Sequence, residues 1–168
     1  MTSPVEQLWA GWRSEYVAGS GGVVGDCDCV FCRLLGSDLD QRETNIVWRN
    51  ELVAAMLNAY PYGTGHLLVM PVRHVADLED LSPGESTALW EAAQSAVAAV
   101  KKAYHPDGAN LGANLGSAAG AGIPSHLHLH VLPRWTADTN FMSAVANTRV
   151  LPEALEVTWS RLTEAWPK

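Results

Sequence analysis

The chain lacks most of what would direct it toward nucleic acid, a membrane or an oxidising compartment. Basic residues are outnumbered, 11 Lys plus Arg against 18 Asp plus Glu for a formal charge of -7, and they do not cluster. A basic face for polynucleotide binding is therefore disfavoured, whereas a small phosphorylated ligand held by backbone N–H groups and imidazoles is compatible with an acidic chain. No apolar run approaches the ~20 residues that span a bilayer, and the opening Met1-Thr2-Ser3-Pro4-Val5-Glu6 lacks the basic start of a secretory signal. The expectation is a cytoplasmic protein with no membrane association. Cysteine is scarce: Cys27, Cys29 and Cys32 are odd in number and crowded into six positions, which suits thiols or metal ligands better than a disulfide framework. No internal repeat or low-complexity tract is visible, and 168 residues suffice for one buried core but not for two full domains.

Tryptophan, by contrast, is abundant at seven residues. The i, i+3 spacing of Trp9 and Trp12, with Leu8 and Tyr16, predicts an amphipathic helix that Gly19-Ser20-Gly21-Gly22 ends, so residues 1–22 read as a helical extension. Ile46–Trp48 and Leu52–Leu57 predict a hairpin around Arg49-Asn50-Glu51, and His66–Met70 a buried strand stopped by Pro71. Ser82-Pro83-Gly84-Glu85 is a capping box with Pro at the first helical position, followed by an apolar stripe of Leu89, Ala92, Ala93, Ala96, Val97 and Val100. A strand is expected near Ala109–Leu115, then a Gly-rich loop to Gly122. Pro152, Leu155, Trp159, Leu162 and Trp166 mark a C-terminal helix. Helices interspersed with hairpin-connected strands predict an α+β fold with an antiparallel sheet of about five strands packed on one long helix.

The most informative stretch is Ser125-His126-Leu127-His128-Leu129-His130-Val131-Leu132-Pro133. In an extended segment alternate side chains share a face, so three histidines line one side while Leu127, Leu129 and Val131 line the other. The first and third Cα atoms lie roughly 13 Å apart, too far for three imidazoles to converge on one ion, so they must divide the work. Like charges raise the cost of each proton, which favours a neutral nucleophile beside proton-carrying neighbours. Spacing alone leaves a phosphate- or acyl-transfer site and a metal site both open.

Gly120-Ala121-Gly122-Ile123-Pro124 and the histidine segment through Arg134 resemble the histidine triad superfamily of nucleotidyl hydrolases and transferases, as do Leu57-Asn58, Pro61, Gly65–Val69, Pro71 and His74 upstream. Residues 27–135 form the core of that likeness, with 136–168 a C-terminal extension of the single domain. Pro133-Arg134-Trp135, Asp138–Met142 and Thr148–Glu153 are similar to the bacterial diadenosine tetraphosphate phosphorylase branch. The resemblance implies a histidine triad fold and a catalytic set of His126, His128 and His130. His128 would attack the α-phosphorus and His130 would donate to a non-bridging oxygen. Asn58 would meet the ribose, Asn114 the phosphates, and Gly120, Ala121 and Gly122 would cradle them. Ile123 departs from the family, many of whose members carry Ser or Thr there; Ser125 or Ser117 are the hydroxyls at hand.

Cys29-Val30-Phe31-Cys32 has the C-x-x-C spacing of a thiolate pair. In related members the other two ligands match His74 and His126, so the resemblance implies a structural zinc and no organic cofactor. It implies a nucleotide or dinucleoside polyphosphate as substrate, inorganic phosphate as acceptor with Arg134 a candidate to attract it, and a homodimer or larger assembly. Phosphorolysis of diadenosine tetraphosphate to ADP and ATP is the leading expectation. A dinucleoside polyphosphate hydrolase, a nucleoside phosphoramidase and a non-catalytic purine nucleotide-binding protein are the alternatives.

Overall fold

A computed structural model describes residues 29–138 and 153–168. The expected helix within 1–22, Cys27, and Pro152 lie outside the described residues. In chain order the elements are α1 (Val30–Leu35), β1 (Ile46–Arg49), β2 (Val53–Leu57), β3 (Leu67–Pro71), α2 (Pro83–Tyr104), β4 (Gly108–Ala113), β5 (Leu129–Arg134) and α3 (Leu155–Ala165), with single 3₁₀ turns at Leu78–Asp80 and Ser117–Ala119. The five strands form one antiparallel sheet in the order β1-β2-β3-β5-β4. No helix among the described residues is long and apolar enough to cross a membrane.

Alternation along the central strands sorts side chains into two layers. Val53, Ala55, Leu57, Leu67, Val69, Leu127, Leu129 and Val131 pack with α2 and α3 on one face. Ala54, Met56, Leu68 and Met70 pack with Cys29, Phe31 and Leu35 of the cysteine segment on the other. Both faces being covered explains why β2 and β3 are buried at every position and read as continuous apolar runs. The C-terminal helix belongs to the first layer: Leu162 is fully buried, Trp166 stacks on Trp48 at 5.4 Å, and the Trp159 indole N–H donates to the Ile46 carbonyl at 2.8 Å. That helix therefore builds the core layer opposite the histidines. Trp90 of α2 is 59% exposed.

Three of the boundaries that differ from the sequence expectation bear on the site. Pro71 is the last rung of β3, paired with Val53, because at a strand end its missing N–H costs no ladder bond. β4 stops at Ala113, before Asn114 and Leu115. Ladder pairing of the histidine strand begins only at Leu129, since upstream its partner is the irregular segment after β3, where Leu127 N–H donates to Val75 C=O at 2.7 Å.

The long helix starts as its sequence dictates. Ser82 Oγ accepts from Glu85 N–H at 3.2 Å and Glu85 Oε2 accepts from Ser82 N–H at 2.8 Å. Arg73 clamps the same carboxylate through Nε at 2.7 Å and Nη2 at 2.9 Å, and also donates to the Asp80 carbonyl. The cap thus ties the helix start to the residue before His74. The Arg73 hydrogen bonds, with those from Ser82, draw the Glu85 pKa down from 4.5 to about 2. A depressed carboxylate stabilises the fold above its unfolded pKa and ceases to do so as pH falls through the folded value. Glu85→Gln is therefore expected to lower the urea midpoint at neutral pH, with the gap to wild type closing between about 4.5 and 2; a gap that does not vary with pH would contradict the clamp.

Candidate active site and metal centre

The histidine face carries more than the three histidines of the motif. His126 is fully buried, His128 is 6% exposed, and His66 at the entry to β3 is 1% exposed. Phe31 meets both His126 and His128 edge-on, with centroids 5.4 and 5.3 Å away. Burial pushes the His126 and His128 pKa values down, each partly offset by a backbone hydrogen bond to the ring. Both imidazoles are thus held toward the neutral form.

Their tautomers follow from their partners, since a carbonyl can only accept and a backbone N–H can only donate. His128 Nδ1 lies 2.8 Å from the His126 carbonyl and must donate to it, which leaves the lone pair on Nε2. His126 Nε2 donates to the Pro71 carbonyl at 2.9 Å, leaving its lone pair on Nδ1. Tyr62 N–H donates to His66 Nδ1 at 3.0 Å. His66 Nε2 therefore carries the proton and donates to His130 Nδ1 at 2.9 Å. The proton of a neutral His130 is accordingly on Nε2. Two neighbouring rings, 5.0 Å apart, are set in opposite tautomers, one presenting a lone pair and the other a donor. His66 is the member that the sequence motif leaves without a role. The signal was its parity with Leu68, which pairs with His130 across the β3–β5 ladder.

Of the remaining expected residues, Asn58 and Asn114 lie beside the histidines, Asn114 in a groove shared with His66 and His130. Asn58 Oδ1 accepts from Tyr60 N–H at 2.9 Å, closing a turn, and its Nδ2 lies 3.4 Å from His66 Nδ1. Asn114 follows β4 and is half-buried. In the loop, Gly120 N–H donates to Ser117 C=O and Ala121 N–H to Gly116 C=O, so these two amides build the loop itself; Gly116 and Gly120 both have positive φ, as glycine permits. Ile123 packs into the cysteine-side cluster. Arg134 is bound by both carboxylate oxygens of Asp138 and by Asn110 Oδ1, so its charge is already paired.

Cys29, Cys32, His74 and His126 come together with one ligand atom each, all within 4.8 Å of one another. Cys29 Sγ and Cys32 Sγ lie 3.3 and 3.5 Å from His126 Nδ1, and Cys32 Sγ lies 3.1 Å from His74 Nδ1. A tetrahedral ion with sulfur at ~2.3 Å and nitrogen at ~2.0 Å spaces the two by roughly 3.5 Å. The lone pair of His126 Nδ1 is turned to the sulfurs by the Pro71 hydrogen bond, the outer-shell arrangement that metal-bound histidines use. The cluster can bind a metal, and all four positions are filled by protein.

The family model of the HIT domain matches residues 40–137, more than half of the chain. The chain belongs to the histidine triad family. This histidine triad protein is 42% identical over 98% of its length to a protein of Mycobacterium tuberculosis named AP-4-A phosphorylase, covering 86% of that relative. It is 36% identical over 95 residues, 56% of this chain and 52% of the relative, to the asymmetrical bis(5'-nucleosyl)-tetraphosphatase of Schizosaccharomyces pombe. Among solved structures, a Zn-bound histidine triad family protein from Mycobacterium smegmatis is 30% identical with a TM-score of 0.67, covering 84% of this chain and 94% of that one.

The paired relays generate a spectroscopic expectation. Nitrogen-15 shifts should report His128 protonated at Nδ1 and His130 at Nε2 in the wild type, and His66→Ala should mix the tautomers of His130 while sparing those of His128. Unchanged His130 shifts in that variant would remove His66 from the relay.

Proposed function

We propose that this histidine triad protein transfers an adenylyl group from diadenosine tetraphosphate to inorganic phosphate through His128. The observation that carries it is the hydrogen bond from His128 Nδ1 to the His126 carbonyl, which commits the lone pair to Nε2 in a ring that burial keeps neutral. The near full-length likeness to AP-4-A phosphorylase supports the substrate.

In the first step Nε2 forms a bond to the α-phosphorus and the bond from that phosphorus to the bridging oxygen breaks, releasing ATP. The leaving oxygen departs as an anion and needs no proton. The ring becomes a phosphorylated imidazolium whose Nδ1–H is already held by a carbonyl, so the positive charge forms against a preset dipole. His130, with its proton on Nε2, supplies a donor for a non-bridging oxygen. In the second step a phosphate oxygen attacks the same phosphorus, the P–N bond breaks, and ADP leaves. Gly120, Ala121 and Gly122 shape the phosphate cradle, with Asn114 at its edge and Asn58 toward the ribose.

We read the metal as zinc, bound by Cys29, Cys32, His74 and His126 in a structural role; two thiolates and two imidazoles suit that ion. When bound it fixes the ring and backbone of His126, whose carbonyl orients the nucleophile. Protein purified without chelators is expected to carry one zinc per chain, and Cys29→Ser to lose it together with thermal stability. Zinc-free protein with a Cys29→Ser variant as stable as wild type would contradict this.

Product analysis tests the reaction. Diadenosine tetraphosphate with phosphate should yield ADP and ATP, and His128→Ala should lose at least about a thousandfold in kcat, as expected when a covalent nucleophile is removed. AMP and ATP formed irrespective of phosphate would make water the acceptor, as the likeness to the tetraphosphatase allows.

A further inference from the structure

We propose that the groove running along β4 on the histidine face is the subsite for the leaving nucleoside polyphosphate, and that Gly112 and Asn110 set which leaving groups are taken. This rests on the adenylyl-transfer reading of the same site. The groove has a volume of about 270 Å³ and is lined by Tyr62, Asn110, Gly112, Asn114, His130 and Leu132 among others. Register explains the grouping: Gly112 pairs with His130 and Asn110 with Leu132 across the β4–β5 ladder, and paired residues share a face.

Gly112 is the informative residue. Glycine within a strand weakens it, so it calls for a reason. Neither of the usual ones applies: its φ is not in the left-handed region, and a Cβ built on it meets no atom within 4 Å. The contrast with Gly65 is direct, where φ is +76° and a Cβ would lie 2.9 Å from Pro133 and 3.0 Å from Tyr104. What Gly112 provides is open space beside His130, as where a ligand approaches the backbone of a strand.

The far end offers one fixed neutral donor. Arg134 Nη1 donates to Asn110 Oδ1 at 2.9 Å, which fixes the amide so that Nδ2 is the donor end. The Arg134 charge itself is paired by Asp138, so the amide is what faces the ligand. Between the Gly112–His130 and Asn110–Leu132 rungs the groove runs roughly 7 Å, the reach of a short chain of phosphates. The Tyr62 ring, stacked on His130 at 5.6 Å, forms the wall nearest the reacting phosphorus.

The test compares kcat/KM for diadenosine tetraphosphate with that for adenosine 5'-phosphoramidate, whose leaving group is too small to enter the groove. The ratio of the two should fall at least about tenfold in Gly112→Val, less in Gly112→Ala, and roughly fivefold in Asn110→Ala, the loss of one hydrogen bond to a ligand. An unchanged ratio in all three overturns the subsite. If wild type turns over neither substrate, the adenylyl-transfer reading fails, and calorimetric binding of ATP and AMP decides the groove by itself. The preference for ATP should then shrink in Gly112→Val, and an equal preference in wild type and variant overturns it.

Discussion

Everything at this site hinges on His126, a side chain that need never touch substrate. Its Nε2 donates to Pro71, its Nδ1 faces two cysteine sulfurs, and its carbonyl receives the Nδ1 proton of His128. Each bond settles something that water would leave undecided: the ring's orientation, the direction of its lone pair, and the tautomer of its neighbour. Free imidazole exchanges its tautomers readily, and only fixed partners choose between them. A buried carbonyl gives His128 one choice, and a backbone N–H acting through His66 gives His130 the other.

The fold supplies those partners by bringing irregular backbone up to regular strands. Pro71 ends β3 where its carbonyl is needed, and Leu127 pairs with Val75 just before the ladder proper begins. The Arg73–Glu85 clamp anchors the intervening segment to the start of α2, so the residue before His74 is held by the long helix. On the opposite face Leu127, Leu129 and Val131 lock the same strand into the core. Sliding the strand by one residue would exchange histidines for leucines, so catalytic register and core packing are the same constraint. Burial on both sides also keeps the rings neutral, which a nucleophile requires.

The sequence was most legible where local rules act alone. The capping box at Ser82 and Glu85, the hairpin around Asn50 and the division of faces along the histidine strand all follow from spacing and propensity, and the structure has them. The metal-capable cluster was readable only through likeness to a family, because Cys32 and His74 are 42 residues apart and no local pattern joins them. The tautomer relay was not readable at all: it depends on Tyr62 offering a backbone N–H, which any residue type could do. Arg134 shows the reverse failure. As a sequence it is a candidate to attract phosphate, whereas Asp138 and Asn110 already engage it through geometry that spacing does not reveal.

The central claim is that one committed lone pair, on His128 Nε2, takes the adenylyl group. The most direct measurement is to mix the protein with diadenosine tetraphosphate in the absence of phosphate, quench within milliseconds, and map any added adenylyl mass by peptide mass spectrometry. The account predicts one adenylyl group per chain, on His128, discharged when phosphate is added before the quench. An adduct on His126 or His130, or turnover with no adduct at any time point, would contradict it.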